Sequence, residues 1–293
     1  MRTAVHSCAL LVLVLAACTR TTFVPGAQDE GRFEGERAYE LAATQLEFGA
    51  RIPGTEAHRQ EQAWILARLA EANWRTEAQS FPYGTVEGRN LIGRGGPEEG
   101  EAILLGAHYD TRPRADRDRV YPTSPVPGAN DGASGVAVLL ELARVLDPSL
   151  LDRPLWLVFF DAEDGGSLGE TEWIAGSTWF AETMEVRPTA VVIVDMVGDA
   201  DLQLYLERNS DSALAGAIWE TAADLGYPAF IARDGRSILD DHRPFVLLGI
   251  PAVDIIDFDY PYWHTTQDTL DRISPQSLEQ VGRTLEAWLA QQH

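Results

Sequence analysis

Two adjacent acidic residues, Glu163 and Asp164, follow a strongly apolar stretch that begins at Leu155. Successive side chains leaving a strand point in different directions, so one carboxylate can bind a metal ion while the other faces a substrate and transfers protons. A pair of acids after a strand can equally be a solvated loop, because acidic side chains usually lie at the surface. The other segments with metal-ligand residues therefore decide what this pair does.

Four further residues that can bind metals lie near the ends of apolar stretches or in turns, namely His108, Asp131, Asp195 and His264. Each one alone has an ordinary explanation as a strand-end residue, a turn or helix-cap residue, or a side chain packed among aromatic rings. Together with Asp164, however, they would bring two histidines and three acids to one edge of a sheet. Oxygen and nitrogen ligands without sulfur suit a catalytic zinc or a similar divalent ion.

Alternating strand-like and helix-like segments must position these side chains. Short apolar runs predict buried strands at residues 102–107, 155–160, 190–194 and 252–256, with a further outer strand at 202–206. Helical spacing of apolar residues predicts helices at 37–48, 58–72, 134–146, 173–182, 212–225 and 274–290. This order predicts an α/β fold with a central mixed, mostly parallel β-sheet flanked by helices on both faces. In such folds ligands bind at the carboxyl ends of the strands, near the candidate residues.

Composition limits the classes of partner. The chain has 293 residues and a formal net charge of -22, with 45 acidic against 23 basic residues. Phosphate backbones need a basic surface, so nucleic acid is not expected as a partner. The length and the 45% hydrophobic content suffice for one large domain with a full core. The two cysteines, Cys8 and Cys18, lie near the N-terminus, so we expect a metal to be bound by His, Asp and Glu side chains.

The first residues are predicted to be a targeting segment rather than part of the fold. Arg2 precedes a short apolar stretch that ends in small residues, as in an export signal. The end of this stretch, Leu15–Cys18, resembles the lipobox of bacterial lipoproteins, and an ordinary signal peptide that contains a cysteine is the alternative. We therefore predict a signal peptide at residues 1–17, a lipid-attached tether at 18–33 and a single catalytic α/β domain at 34–293. The protein would be exported, anchored to the bacterial cell envelope, and attached to the membrane only through the lipid at Cys18.

Five short segments together resemble the zinc-dependent exopeptidase superfamily, which contains secreted aminopeptidases and the animal-type glutaminyl cyclases. They are His108–Asp110, Gly128–Asp131, Ala162–Asp164, Val194–Asp195 and Trp263–Thr265. The resemblance extends from about Arg51 to the C-terminus, and the order and spacing of the segments make it specific for the superfamily. It implies a zinc enzyme that acts on peptides or proteins with a free N-terminus, and it leaves the reaction open.

The two enzyme groups differ in the number of zinc ions that the resemblance implies. In the aminopeptidases two ions share a bridging aspartate, which corresponds to Asp131, and Glu163 would be the general base. The further ligands would be His108 and Asp195 for one ion, and Asp164 and His264 for the other. In the cyclases a single ion would be held by the residues that correspond to Asp131, Asp164 and His264.

Details outside the ligand set favour the bacterial members of the cyclase group. The segment Asp240–Phe245 resembles a cyclase pattern in which the first aspartate supports the catalytic acid. Trp263 resembles the tryptophan that walls the cyclase substrate pocket, and Trp173 is a candidate for a second wall, with core packing as the alternative for both. Asp254 stands where the mammalian cyclases carry a histidine. An aspartate there resembles bacterial members and leaves the role of this predicted pocket residue open.

The leading hypothesis is a zinc-dependent glutaminyl-peptide cyclotransferase, which would convert N-terminal glutamine to pyroglutamate and release ammonia. Glu163 would shuttle protons, Asp195 would hold the substrate amine, and Asp240 would hold Glu163. A di-zinc aminopeptidase that removes N-terminal residues is the alternative. A binding domain on a decayed peptidase fold is less favoured, because no catalytic position is lost.

Overall fold

A six-stranded β-sheet forms the centre of the protein in the computed structural model, which describes residues 31–168 and 171–292. The strands of the described chain are β1 (Arg75–Tyr83), β2 (Val86–Gly95), β3 (Ile103–His108), β4 (Leu155–Phe160), β5 (Ala190–Asp195), β6 (Leu204–Leu206), β7 (Phe230–Asp234) and β8 (Ala252–Ile256). The sheet order is β1-β2-β4-β3-β5-β8. The pairs from β4 to β8 are parallel, whereas β2 is antiparallel to both β1 and β4. The predicted mixed, mostly parallel sheet is confirmed.

Helices cover both faces of this sheet, as predicted. The helices of the described chain are α1 (Gly35–Glu47), α2 (Glu56–Glu71), α3 (Ala133–Val145), α4 (Ala175–Thr183), α5 (Ser212–Asp224), α6 (Arg243–Leu247) and α7 (Pro275–Leu289). Successive strand residues point to opposite faces. Leu105 and Leu157 therefore lie in the larger core with α1, α3 and α7, whereas Leu104 and Val158 lie in the core with α4 and α6. Burial on both faces explains why the central strands are continuous apolar runs.

Some strands are not evident from the sequence. β1 is an edge strand that is exposed along most of its length, so polar residues obscure its pattern and that of the adjoining β2. β6 is not an outer strand of the main sheet, and this prediction was wrong. It pairs in parallel with β7 in a separate two-stranded sheet. A three-residue run carries no information about its partner, because pairing is decided by the packing of the surrounding elements.

The predicted N-terminal segments lie almost entirely outside the described residues. The signal peptide at 1–17, the lipid at Cys18 and most of the tether precede residue 31, so export and lipid attachment stay predictions. The last residue of the predicted tether, Phe33, is 2% exposed and belongs to the larger core. Its ring fills the space that a side chain at Gly282 of α7 would need. Within the described residues, every helix is too short or too polar to cross a membrane.

Candidate active site

The predicted site residues converge at the carboxyl edge of the sheet. His108 is the last residue of β3, and Asp195 is the last residue of β5. The turn after β4, the loop after β8 and the segment before α3 supply the rest, namely Glu163, Asp164, His264 and Asp131. All of these residues are buried. Parallel strands bring their carboxyl ends to one edge, so residues far apart in the sequence meet there.

Two groups of three possible ligands meet at Asp131. The Nε2 atom of His108 lies 3.1 Å from Asp195 Oδ1 and 3.2 Å from Asp131 Oδ1. The Nε2 atom of His264 lies 3.0 Å from Asp164 Oδ1 and 3.7 Å from Asp131 Oδ2. Within each group the ligand atoms lie within 4.8 Å of one another. Asp131 thus presents a different oxygen to each group, which is the arrangement of a bridging carboxylate.

The donor set fits a divalent cation such as zinc. Asp131 Oδ2 and Asp164 Oδ2 are buried and have no hydrogen-bond partner among the described residues. Such oxygens are unfavourable in a protein interior unless a positive charge compensates them. Burial and the charge of Asp131 raise the pKa of Asp164 to about 6, which reflects this crowding of acids. Histidine and carboxylate ligands in a group of three match the protein ligands of catalytic zinc sites.

Two buried aspartates hold the backbone of the loops that carry the ligands. Asp110 accepts hydrogen bonds from the N–H groups of Glu163, at 2.9 Å, and Asp164, at 3.2 Å. Asp268 accepts hydrogen bonds from the N–H of Asp131, at 3.2 Å, and from that of the preceding residue, at 2.9 Å. Each of these carboxylates therefore orients a pair of neighbouring residues towards the site.

Both histidines of the two groups have a carboxylate behind the ring. His108 Nδ1 lies 3.6 Å from Asp110 Oδ1, and His264 Nδ1 lies 3.5 Å from Asp116 Oδ1. A carboxylate behind a metal-binding histidine fixes the ring orientation and raises the basicity of the ligand nitrogen. The guanidinium of Arg112 pairs with Asp116 at 2.7 Å and thereby holds the second of these carboxylates.

Three residues with left-handed backbone conformation lie at or beside the site. Ala162 has a φ of 58°, Met196 of 47° and His264 of 58°. This conformation disfavours residues with a side chain, at a cost of roughly 1–3 kcal/mol each. Ala162 precedes Glu163, and Met196 follows Asp195. The strained positions therefore set the directions of the functional side chains, as is common at active sites.

A cavity of about 240 Å³ opens beside the ligand groups. The rings of Trp263 and Trp173 pack on His264, with centroid distances of 4.0 and 5.9 Å. The predicted site residues that line the cavity are Asp131, Glu163, Trp173, Asp195, Asp240, Trp263 and His264. Most of the remaining lining is apolar, from Met196, Ile238, Leu239, Ile256 and Phe258.

Asp254 does not line this cavity, so its prediction as a pocket residue was wrong. Side chains alternate along β8, and Asp254 points to the same face as Ala252, towards the core with α4 and α6. There it is fully buried, with its Oδ2 3.6 Å from Nδ1 of His242. His242 in turn lies 3.2 Å from Oε2 of Glu207. These three groups form a buried cluster of ionisable side chains behind the site.

Glu163 is a buried acid surrounded by other acids. Burial raises the pKa of its carboxyl well above the ordinary value, and the charges of Asp164 and Asp240 raise the pKa further, while His108 lowers it. Burial and the charge of Asp195 raise the pKa of Asp240 to about 7. Carboxyl groups whose pKa is raised in this way can both accept a proton and return it near neutral pH. The arrangement can therefore move protons between groups held in the cavity.

The supporting residues Asp110, Asp116, Asp268 and Arg112 were not assigned roles from the sequence. Asp110 lies two residues after His108, and Asp268 lies four residues after His264. Closeness to a candidate ligand is the one signal that could have identified these two aspartates. Nothing in the sequence indicates that Arg112 and Asp116 meet the ligand loops, because that contact depends on the path of the long loop after β3.

Comparisons with known proteins identify the family of the chain. Residues 90–289 match Peptidase family M28. The structure of glutaminyl cyclase from Porphyromonas gingivalis is 36% identical, with a TM-score of 0.84, over 89% of this chain and 99% of that chain. A Zn-dependent exopeptidase from Parabacteroides distasonis is 31% identical, with a TM-score of 0.83, over 87% of this chain and 97% of that chain. Aminopeptidase YwaD of Bacillus subtilis is 29% identical over 76% of this chain, which spans 48% of that longer protein. The chain therefore belongs to peptidase family M28.

Proposed function

We propose that this enzyme is a zinc-dependent glutaminyl-peptide cyclotransferase, which converts the N-terminal glutamine of peptides and proteins to pyroglutamate. The main support for this proposal is a small cavity beside the candidate metal ligands. Three carboxylates line it, from Glu163, Asp195 and Asp240, and most of its remaining lining is apolar. At about 240 Å³ the cavity lies below the usual range of ligand pockets, roughly 300–1,000 Å³. It therefore suits one amino-acid side chain rather than a longer stretch of peptide.

Asp131, Asp164 and His264 would hold the zinc ion, because their ligand atoms form one group and two of their oxygens are otherwise unpartnered. When bound, the ion supplies Lewis-acid polarisation of the γ-carbonyl group of the glutamine. One ion per chain is proposed. His108 and Asp195 then keep their own 3.1 Å hydrogen bond, and Asp195 stays at the cavity wall to receive the α-amine of the substrate.

The reaction forms a bond between the α-nitrogen and the δ-carbon of the glutamine and breaks the bond from that carbon to the amide nitrogen. Glu163 takes the proton that the α-amine loses and gives a proton to the departing nitrogen, which leaves as ammonia. The two transfers balance, so Glu163 ends in its starting state. Asp240 assists through its charge, which raises the pKa of Glu163 and makes its carboxylate a stronger base towards the α-amine.

The two indoles complete the proposed pocket. Trp173 and Trp263 both pack against the ring of His264 and, with Leu239 and Phe258, give the cavity an apolar wall. Such a wall favours the bent conformation of glutamine that brings the two reacting atoms together. It also limits the access of water, which is not a reactant in cyclisation. The similarity to the Porphyromonas gingivalis glutaminyl cyclase over nearly the whole of that chain supports the same reaction.

A di-zinc aminopeptidase is the second candidate, and one specific observation favours it. The group of His108, Asp131 and Asp195 is complete, and Asp131 offers one oxygen to each group. If both groups held an ion, Glu163 would activate water instead of the substrate amine. The similarity to Aminopeptidase YwaD supports this alternative, although this chain spans about half of that protein.

The test is incubation of the zinc-loaded protein with a glutamine-initiated peptide, with ammonia and pyroglutamyl peptide measured together with free amino acids. Production of ammonia and pyroglutamyl peptide in equal amounts would support the cyclotransferase. Release of free amino acids by protein with two tightly bound zinc ions would overturn it in favour of the aminopeptidase. Glu163→Gln should abolish turnover and retain zinc, whereas Glu182→Gln on the exposed face of α4 is the matched control and should retain activity.

A further inference from the structure

A second cavity adjoins the proposed catalytic pocket. It measures about 220 Å³ and shares three apolar lining residues with that pocket, namely Ile238, Ile256 and Phe258. Its outer wall comes from the small sheet of β6 and β7 and from the loop that follows β7. The two cavities are therefore neighbours on opposite sides of one apolar partition.

Part of the exposed rim of the catalytic pocket lies beside this second cavity. Among the residues that line the pocket, Ser237 and Leu239 are exposed, whereas the ligand residues and Glu163 are buried. Both exposed residues belong to the loop after β7, and the second cavity is lined by Gly235 and Arg236 of the same loop and by Asp234 at the end of β7. A peptide whose first residue occupies the catalytic pocket must leave through an exposed part of the rim. The second and later residues of the peptide can thus reach the second cavity.

The charged residues that line the second cavity favour a positively charged ligand. Three acidic side chains and one arginine line it. Glu207 is buried, and its carboxylate already accepts hydrogen bonds from Asn209, Ser210 and Ile238. Asp259 pairs with Arg236 at 2.8 Å. These groups are therefore engaged within the protein.

Asp234 is the acid that remains available. It is exposed, and in the part of the chain that the structure describes its carboxylate has no ion-pair or hydrogen-bond partner. The aromatic rings of Tyr205 and Phe258 form neighbouring walls. Each ring already has a guanidinium group over it, from Arg233 at 5.3 Å on Tyr205 and from Arg236 at 5.9 Å on Phe258, so these walls contact the long cationic side chains of the protein itself.

We infer that this second cavity is a substrate subsite that accepts a lysine or arginine side chain from the second or third residue of the peptide. The inference rests on the proposed function, because it takes the first residue to occupy the catalytic pocket. An extended peptide advances at most about 3.6 Å per residue, so the second and third side chains are the ones that reach an adjoining cavity. Asp234 would supply the charge, and the aromatic walls would contact the aliphatic stem.

The experiment compares kcat/KM for a set of glutamine-initiated peptides that carry lysine, alanine or glutamate at the second or the third position. Exposed ion pairs contribute about 0.2–1 kcal/mol, so lysine peptides should be favoured over alanine peptides by about 1.5- to 5-fold at low ionic strength. The preference should fall as salt is added, because exposed charges are screened. Asp234→Asn should reduce the ratio of lysine to alanine peptides towards one. Glu185→Gln removes an equal charge from the loop before β5, at the opposite edge of the sheet, and should keep the ratio.

A second readout separates this inference from the proposed reaction. Peptide affinities are measured by calorimetry on the zinc-loaded Glu163→Gln variant, in which binding is observed without turnover. If the wild-type enzyme makes no pyroglutamate but lysine peptides still bind more tightly through Asp234, the proposed reaction is wrong and the subsite stands. If pyroglutamate forms with equal kcat/KM for all peptides, or if glutamate peptides are preferred, the subsite is wrong and the reaction stands.

Discussion

The hydrogen bonds of Asp268 provide a sharp test of how the protein positions its metal ligands. Asp268 is fully buried, and its Oδ2 accepts a hydrogen bond from the N–H of Asp131 at 3.2 Å. Its Oδ1 accepts hydrogen bonds from the N–H of Asn130 at 2.9 Å and from the hydroxyl of Tyr260 at 2.7 Å. The carboxylate thus contacts the ligand residue Asp131 through its backbone N–H and supports the segment before α3. Asp268→Asn is the perturbation of choice, because it preserves size and removes one acceptor.

The expected loss of stability follows from the number of hydrogen-bond donors that face the side chain of residue 268. Asparagine has one oxygen and one NH₂ group, so in either orientation the NH₂ group faces at least one backbone N–H. A buried donor left without an acceptor costs about 1–3 kcal/mol, and this is the expected loss in the free energy of unfolding. The displaced backbone would also misplace Asp131. Residues that support metal ligands typically contribute 10- to 100-fold to metal affinity, and we expect zinc affinity to fall within that range.

The assay combines urea unfolding of the metal-free protein with zinc titration against a competing chelator. Burial and the neighbouring Asp131 raise the pKa of Asp268 to about 7, so measurements at pH 8 compare a carboxylate with an amide. Asp257→Asn is the matched control, because Asp257 is also buried and accepts two backbone N–H groups, from Gln203 and Asp259. The control should lose similar stability and keep its zinc affinity. Equal zinc affinities for wild type and Asp268→Asn would refute the positioning role.

Three further predictions concern the stability of the fold and the metal. Glu61→Gln removes the acidic partner of the fully buried Arg51, which lies 3.4 Å away and also donates to two backbone carbonyl groups. Burial raises the pKa of Glu61 to about 8, so the variant should cost about 3–5 kcal/mol in urea unfolding at pH 9, and a loss under about 1 kcal/mol there would contradict a buried ion pair. Gly282→Ala inserts a methyl group into the space of the Phe33 ring and should cost about 1–3 kcal/mol. Gly216→Ala in α5, where no atom lies within 4 Å, should instead stabilise by up to about 1 kcal/mol, and equal effects at both glycines would contradict the packing of Phe33. Removal of zinc by a chelator should lower Tm, since free zinc at 100 times Kd stabilises by about 2.7 kcal/mol; an unchanged Tm would argue against a bound ion.

The central strands were predictable because their environment leaves a clear pattern. β3, β4, β5 and β8 are buried on both faces, and each is a short apolar run in the sequence. The chain also reveals which residues follow these strands. Since parallel strands share one carboxyl edge, the convergence of the two histidines with the acids could be expected before any coordinates were known.

The peripheral strands were less predictable. Edge strand β1 faces solvent along most of its length, so its composition does not separate it from a loop. The pairing of β6 with β7 depends on contacts between segments more than twenty residues apart. Asp254 illustrates the same limit within a correctly predicted strand. The resemblance to the cyclases suggested a pocket residue at this position, but the alternation of β8 points it into a buried cluster.

The sequence by itself determined the type of chemistry, because residue types decide which ions and protons a site can handle. His, Asp and Glu without cysteine indicate a divalent metal, and Glu163 beside Asp164 indicates separate metal-binding and proton-transfer roles. Tertiary structure alone decided how these groups are supported. Asp110 and Asp268 accept the backbone N–H groups of the ligand loops. Such contacts join segments distant in the chain, so their geometry is set by packing and cannot be read from spacing.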